Sequence, residues 1–231
     1  MKGTDGSDIL DEALRRGATP IAPRRTIEAL VELQTHRNHV EILTCSGEMG
    51  ETEARAAGYV PEVVNDTALR RTTSEDTKRT AKILVEKSVD LLLFTGGDGT
   101  ARDILDAIDG KAPVLGIPAG VKMHSSVFAI SPSHAAKVTI RYLQGELPIE
   151  QAEVMDIDEV EFRAGRLSAR LYGYMNVPRE PLLMQGIKTA TAQTEDEVEQ
   201  QRAIAKHVTE EMRDEFYVLG PGTTVKAVAD M

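Results

Sequence analysis

Four short apolar runs, "HVEILT" from His39, "PEVVN" from Pro61, "DLLLF" from Asp90 and "PVLGI" from Pro113, alternate with longer stretches in which apolar residues recur at helical spacing. No other feature constrains the fold as much. Strands joined by helical crossovers return to the edge they started from, so they run parallel, and helices then cover the sheet. Runs as apolar as "DLLLF" suit strands buried on both faces. The expected architecture is α/β, a doubly wound parallel sheet.

The intervening stretches carry helix boundaries that can be read directly. "TIEALVELQTH" and "ARDILDAI" have helical periodicity, and "GETEARAAG" reads as a short helix stopped by Gly58. "TTSEDTKRTAKILVEK" is expected to be capped by Thr73 or Ser74, with acids in its first turn. In "SPSHAAKVTIRYLQG", Ser131 is the expected N-cap, Pro132 takes the first helical position and Gly145 lies just past the end. After about residue 150 the period changes to two. "AEVMDIDEVEFRAGRLSARLYGYMNVP" alternates polar and apolar residues around a turn at "RAG", as hairpin strands do. Residues 1–150 are therefore expected to form an α/β domain and 151–231 a second, strand-rich subdomain. Within the latter, "QTEDEVEQQRAIAKHVTEEM" reads as a solvated helix, and "EFYVLGPGTTVKAVADM" as strand, glycine turn and helix start.

Composition removes several functional classes. The chain has 231 residues, a formal charge of -10 and 28% charged residues, a balance that disfavours a phosphate-backbone-binding surface. No apolar run approaches the roughly 20 residues of a membrane span. Neither nucleic acid nor membrane is an expected partner. A single cysteine, Cys45, forms neither an internal disulfide nor a cysteine zinc cluster, and "MKGTDGSDIL" lacks the apolar core of a signal peptide, so a cytoplasmic location is expected.

Chemistry concentrates where strands end. "TGGDGT" at 95–100, "GIPAGVKMHSS" at 116–126 and "GPGTT" at 220–224 each follow a predicted strand. In a parallel doubly wound sheet such ends share one edge, where ligands bind. The dinucleotide pattern G-x-G-x-x-G and the P-loop G-x-x-x-x-G-K-[ST] are both missing. Gly96, Gly97 and Gly99 would let backbone N–H groups approach an anion, with Thr100 adding a hydroxyl at the helix start. An acid in that setting is anomalous. Asp98 repels an anion, so either it only caps the following helix or it performs chemistry that outweighs the repulsion.

The Gly-Gly-Asp-Gly-Thr run resembles the motif shared by NAD kinases and the wider diacylglycerol kinase-like superfamily. "PVLGIPAGVKMHSSVFA", "AEVMDIDE", "RLYGYMNVP" and "LGPGTT" extend the likeness to the ATP-NAD kinase group that includes acetoin-catabolism-associated members, over nearly the whole chain. The resemblance implies an NAD kinase-like fold and transfer of a phosphoryl group from ATP or polyphosphate to a hydroxyl, for NAD the 2′-hydroxyl of the adenosine ribose. It further implies a small-molecule nucleotide substrate, a homo-oligomer, and Mg²⁺ held mainly by the phosphates and in part by Asp98. Asp98 would accept the hydroxyl proton or position the metal–phosphate complex, with Gly96, Gly97, Gly99 and Thr100 around the phosphates.

Further candidates are Lys122, a cation for phosphate in a glycine-flanked turn; His124, for which a hydrogen bond to local backbone competes with substrate contact; and Gly220, Gly222, Thr223 and Thr224, a second glycine turn before a helix. Ser125 and Ser126 read as caps of a short helix toward Phe128, Cys45 as inert, and Lys188 is named with no role assigned. Members of the group open with a strand and an Asn-Pro glycine-rich loop and continue beyond the last helix. This chain opens at "MKGTDG", which looks like the end of that loop, and stops inside the helix after "GPGTT". An incomplete nucleotide site follows as an expectation, so a non-catalytic nucleotide-binding or regulatory protein of the same fold stands beside the kinase.

Overall fold

A computed structural model of the chain describes residues 15–65, 72–120, 123–157, 169–185, 195–212, 216–217 and 223–231. By compactness the chain divides into two units, Met1–Lys188 and Thr189–Met231.

The first unit holds helices α1 (Ala22–Leu33), α2 (Glu51–Ala56), α3 (Ser74–Glu86), α4 (Asp98–Ile108) and α5 (Pro132–Leu143). Its strands are β1 (Leu43–Cys45), β2 (Glu62–Asn65), β3 (Leu92–Gly96), β4 (Val114–Pro118), β5 (Ile149–Ile157) and β6 (Ala169–Pro178). All four apolar runs contain strands; those from Pro61, Asp90 and Pro113 start one or two residues later than read, while β1 starts four residues into its run and keeps only Leu43 and Thr44 of it. β1 pairs with β2 in parallel, and β3 with β4 in parallel from Leu92 opposite Val114 to Gly96 opposite Pro118. The α/β class is observed; among the described residues the strands pair two by two.

Local chemistry explains the helix limits. The Asp76 carboxylate accepts both the backbone N–H and the hydroxyl of Thr73 at 2.9 Å, fixing the start of α3. Ser131 Oγ accepts the His134 N–H at 3.2 Å, and Pro132 opens α5 as expected. Gly58 and Gly145 take positive φ, +84° and +76°, just beyond α2 and α5, a conformation that suits glycine best.

β5 and β6 form an antiparallel hairpin, Ile149 opposite Pro178 through Ile157 opposite Ala169. The expected turn at "RAG" lies outside the described residues. The hairpin does not stand apart from the α/β layer. Ala152, Val154, Met175 and Val177 are buried in one cluster with Leu92 and Phe94 of β3, Val114, Leu115 and Ile117 of β4, and Ala101, Ile104 and Ile108 of α4. The compact division consequently falls after Lys188, and the boundary expected at 150/151 lies inside the first unit. A second cluster joins Leu30 and Leu33 of α1, Ala54 of α2, Ala57 and Ala136 of α5.

In the second unit, helices α6 (Glu195–Glu211) and α7 (Thr223–Ala229) pack on one another. Phe216 and Tyr217 are not in a strand, and the rest of the strand expected there falls outside the described residues. No helix among the described residues is long and apolar enough to cross a membrane.

Residues 127–129 run beside β4: Gly116 donates its N–H to Val127 O at 2.9 Å and accepts from the Ala129 N–H at 3.0 Å. This places the fully buried Phe128 ring over Gly116, where a Cβ would lie 2.2 Å from Phe128 Cδ1. The ring is held from the other side by Phe94, edge-on at 5.4 Å. Gly116→Ala is therefore expected to lower stability by about 1–3 kcal/mol through overpacking, read by urea denaturation. An unchanged midpoint would show that the ring yields freely.

Candidate functional site

Because β3 and β4 are parallel and in register, Gly96 and Pro118 end side by side, and the two glycine turns leave from the same edge. They interlock. Gly96 O accepts the N–H groups of Ala119 and Gly120 at 2.9 and 3.1 Å. A Cβ on Gly97 would lie 3.3 Å from Gly120 Cα, and one on Gly120 only 2.9 Å from Gly97 Cα. A Cβ on Gly96 would meet Thr100 Oγ1 at 2.4 Å, so the Thr100 hydroxyl folds back over the strand end. Gly99 differs, since among the described residues nothing comes nearer its missing Cβ than Arg102 Nη2 at 3.9 Å. Packing thus accounts for three of these glycines and leaves the space at Gly99 open.

Asp98 joins the two turns. Gly97 is the N-cap of α4, and Asp98 occupies the first helical position. Its carboxylate turns away from its own helix. Oδ2 accepts the backbone N–H of His124 and Oδ1 that of Ser125, each at 2.9 Å. The cap reading of Asp98 is overturned: the acid ties the start of α4 to residues 124–125, which lie 26 and 27 positions downstream.

The next residues also depart from expectation. Ser125 and Ser126 do not cap a helix; their hydroxyls accept the N–H groups of Met155 and Glu153 of β5, both at 2.9 Å. A serine oxygen at the edge of a strand can stand in for a carbonyl, and two consecutive serines give the segment two such acceptors. His124 is buried at 8% exposure and contributes its backbone N–H to Asp98. Thr224 belongs to α7 in the second unit. Lys122, Lys188, Gly220 and Gly222 lie outside the described residues, as does the side chain of Thr223. Cys45 is buried and donates its thiol to Asn65 O at 3.1 Å, as befits an inert residue.

Sequence reading missed the first turn of α1. Thr26 Oγ1 lies 2.7 Å from Thr95 Oγ1, which fixes the start of that helix beside the end of β3. Arg24 and Arg25 sit in this turn, which holds no acid and has no side-chain cap. Cations there are opposed by the helix dipole. Arg25 Nε is shielded from solvent and has no hydrogen-bond partner among the described residues. The adjacent arginines at a helix start were the available signal; the Thr26–Thr95 contact that sets their helix beside the end of β3 spans 69 positions and is not visible in sequence.

Among the described residues no group of three or more His, Cys, Asp or Glu side chains could hold a metal ion.

The model of the ATP-NAD kinase N-terminal domain matches residues 13–147. This chain belongs to the ATP-NAD kinase family. The matched span runs from before α1 to just short of β5 and contains both interlocked turns. Comparison with curated proteins and with solved structures gave no match. Within this kinase family member the GGDGT acid is seated by backbone donors of the second turn.

That seating changes what an isosteric substitution does. Asparagine can supply one acceptor oxygen, but its amide would point a donor at the other N–H. Asp98→Asn is expected to cost about 1–3 kcal/mol in denaturant unfolding, beyond any effect on turnover. Unchanged stability would mean that the carboxylate does not hold the two turns together.

Proposed function

We propose that the protein is a kinase that transfers a phosphoryl group from ATP or polyphosphate to the 2′-hydroxyl of NAD or to a related small-molecule hydroxyl. The observation that carries this reading is Asp98, an ionisable acid fixed by two N–H donors at the junction of two glycine turns on a parallel strand edge. Two donors satisfy two of the roughly four lone-pair directions of a carboxylate, leaving others for an incoming hydroxyl. Asp98 would hold or accept the proton of the attacking hydroxyl, and the open space at Gly99 would let the start of α4 approach phosphate oxygens. Mg²⁺, when bound, supplies charge neutralisation of the phosphates. Arg25 would add a cation at this edge, its planar guanidinium suiting phosphate oxygens. The reading also takes the strand pairs as parts of a doubly wound sheet and the protein as a cytoplasmic homo-oligomer.

The same seating favours a second reading. An acid engaged through both oxygens can serve as a strut alone, in a non-catalytic nucleotide-binding or regulatory protein.

The test is incubation of the purified chain with Mg²⁺, ATP or polyphosphate and a panel of NAD, NADH and simpler hydroxyl compounds, read by mass spectrometry. A product one phosphoryl group heavier is expected. Nucleotide binding without product from any donor and acceptor would select the second reading. Arg25→Gln is expected to weaken ATP binding by roughly 10–100-fold, the worth of one charge-assisted hydrogen bond, as measured by calorimetry. Unaltered affinity would remove Arg25 from the site.

A further inference from the structure

The β5–β6 hairpin grips both sides of the junction at Asp98. Toward α4 the approach is close: a Cβ on Gly173 would lie 2.7 Å from Leu105 Cδ2. Tyr172 donates its hydroxyl to Asp106 at 2.8 Å, and Asn176 Nδ2 donates to Gly110 O at 3.2 Å, just past the end of α4. Arg102, one turn after Asp98, pairs with Asp156 of β5, and its guanidinium sits 5.8 Å from the centre of the Tyr172 ring. Toward the second turn the same hairpin holds residues 125–126. Ser126 exchanges two bonds with Glu153, its N–H to the carbonyl and its Oγ from the N–H, both at 2.9 Å. Ser125 Oγ accepts from Met155 at 2.9 Å. The register of β5 against β6 shifts between Val154 and Met155, at the step that separates the Ser126 and Ser125 contacts.

Ser125 is therefore bonded in two directions. Its hydroxyl is fixed by β5 and its N–H by Asp98, and at 1% exposure water does not replace either bond. Ser126 makes the same kind of hydroxyl bond to β5 but offers nothing to Asp98.

We infer that Ser125 is a positioning residue, through which the hairpin sets the carboxylate of Asp98 relative to the GGDGT turn. The geometric content stands by itself; the consequence for turnover rests on the kinase reading above. A carboxylate whose two partners are both backbone N–H groups can be no better placed than the segment that carries them. Ser126 and Val127 are anchored by Glu153 and Gly116, and at Ser125 itself the segment is placed by the Met155 bond.

The experiment compares Ser125→Ala with Ser126→Ala in the full chain. Each loses one hydroxyl bond to a β5 N–H, and Ser126→Ala also loses a longer one to the Glu153 carbonyl at 3.4 Å, so Ser126→Ala should lower global stability at least as much as Ser125→Ala. Hydrogen exchange at the His124 and Ser125 amides separates them. Ser125→Ala is expected to speed exchange at both by about tenfold more than Ser126→Ala does. Equal exchange in the two variants overturns the inference. Ser125→Cys, close in size and a much weaker acceptor, carries the same comparison if the alanine variant does not fold. Where the wild-type chain turns over, Ser125→Ala should lower kcat roughly 10–100-fold with KM for the donor nearly unchanged, because the reacting geometry and not the binding is disturbed. A wild-type chain without turnover defeats the kinase reading alone, and the exchange comparison still decides the role of Ser125.

Discussion

The Asp98 carboxylate, held by the N–H groups of His124 and Ser125, is the interaction on which the site depends. It closes a loop between the start of α4 and a segment that has crossed β4 and the following turn. Without it, the two glycine turns would still leave adjacent strands, because the β3–β4 register ensures that. Their ends would not be fixed to each other beyond Gly96 and Gly120. The glycines permit the approach and the acid makes it specific. Each of the two oxygens answers one donor, so no neutral side chain of the same size serves as well.

The hairpin supplies the second constraint. A two-stranded ribbon is marginal in isolation, and this one gains its stability by burying Val154, Met175 and Val177 in the core that α4 and β3 also line. Having docked there, it reaches α4 through Leu105, Asp106 and Arg102 and the second turn through Ser125 and Ser126. Lys78 of α3 extends the network on the surface. Partial desolvation works against its charge, yet Asp103, Glu75 and Asp106 hold its pKa above the ordinary lysine value. The Asp106 carboxylate likewise raises the Tyr172 phenol by accepting its proton bond. These exposed contacts add little stability each. Their value is in fixing the angle between the hairpin and the helix that begins with Asp98.

Much of this was legible before any coordinates. Alternating periods revealed the strands and helices of the first 150 residues because parallel strands buried on both faces must be apolar throughout, as Leu92 to Phe94 are. Ser131, Pro132 and Gly145 marked their helix because capping chemistry is local. The shared edge of the turns at Gly96 and Gly120 followed from parallel pairing alone. What stayed hidden was non-local. Nothing within "GGDGT" says that Asp98 turns toward residue 125 and not toward its own helix, since both arrangements satisfy a carboxylate. Ser125 and Ser126 read as caps because serine hydroxyls accept backbone N–H groups in either setting, and only the fold says whose. The change of period near residue 150 marked a real change of element and suggested a boundary. A hairpin with one apolar face must bury it somewhere, however, and the nearest uncovered core belonged to the α/β layer.

The opening anomaly, an acid where an anion would bind, resolves in terms of charge and direction. In a chain of net charge -10, an isolated carboxylate beside bound phosphates would be strongly unfavourable. Two backbone dipoles point their positive ends at Asp98, so part of its charge is met before any ligand arrives. The same bonds aim the carboxylate toward residues 124–125, while the open position at Gly99 lies on the helix start beside it. Repulsion and recognition are thereby separated by a residue or so along the chain. On the kinase reading proposed above, phosphate would be received by N–H groups at the start of α4 and by Arg25, while the acid would keep lone pairs for whatever donor the partner molecule brings. A lone acid among glycines cannot achieve that separation. An acid anchored from a second turn can, and for that reason the spacing between Asp98 and Ser125 in the fold matters more to the site than any residue of either turn taken singly.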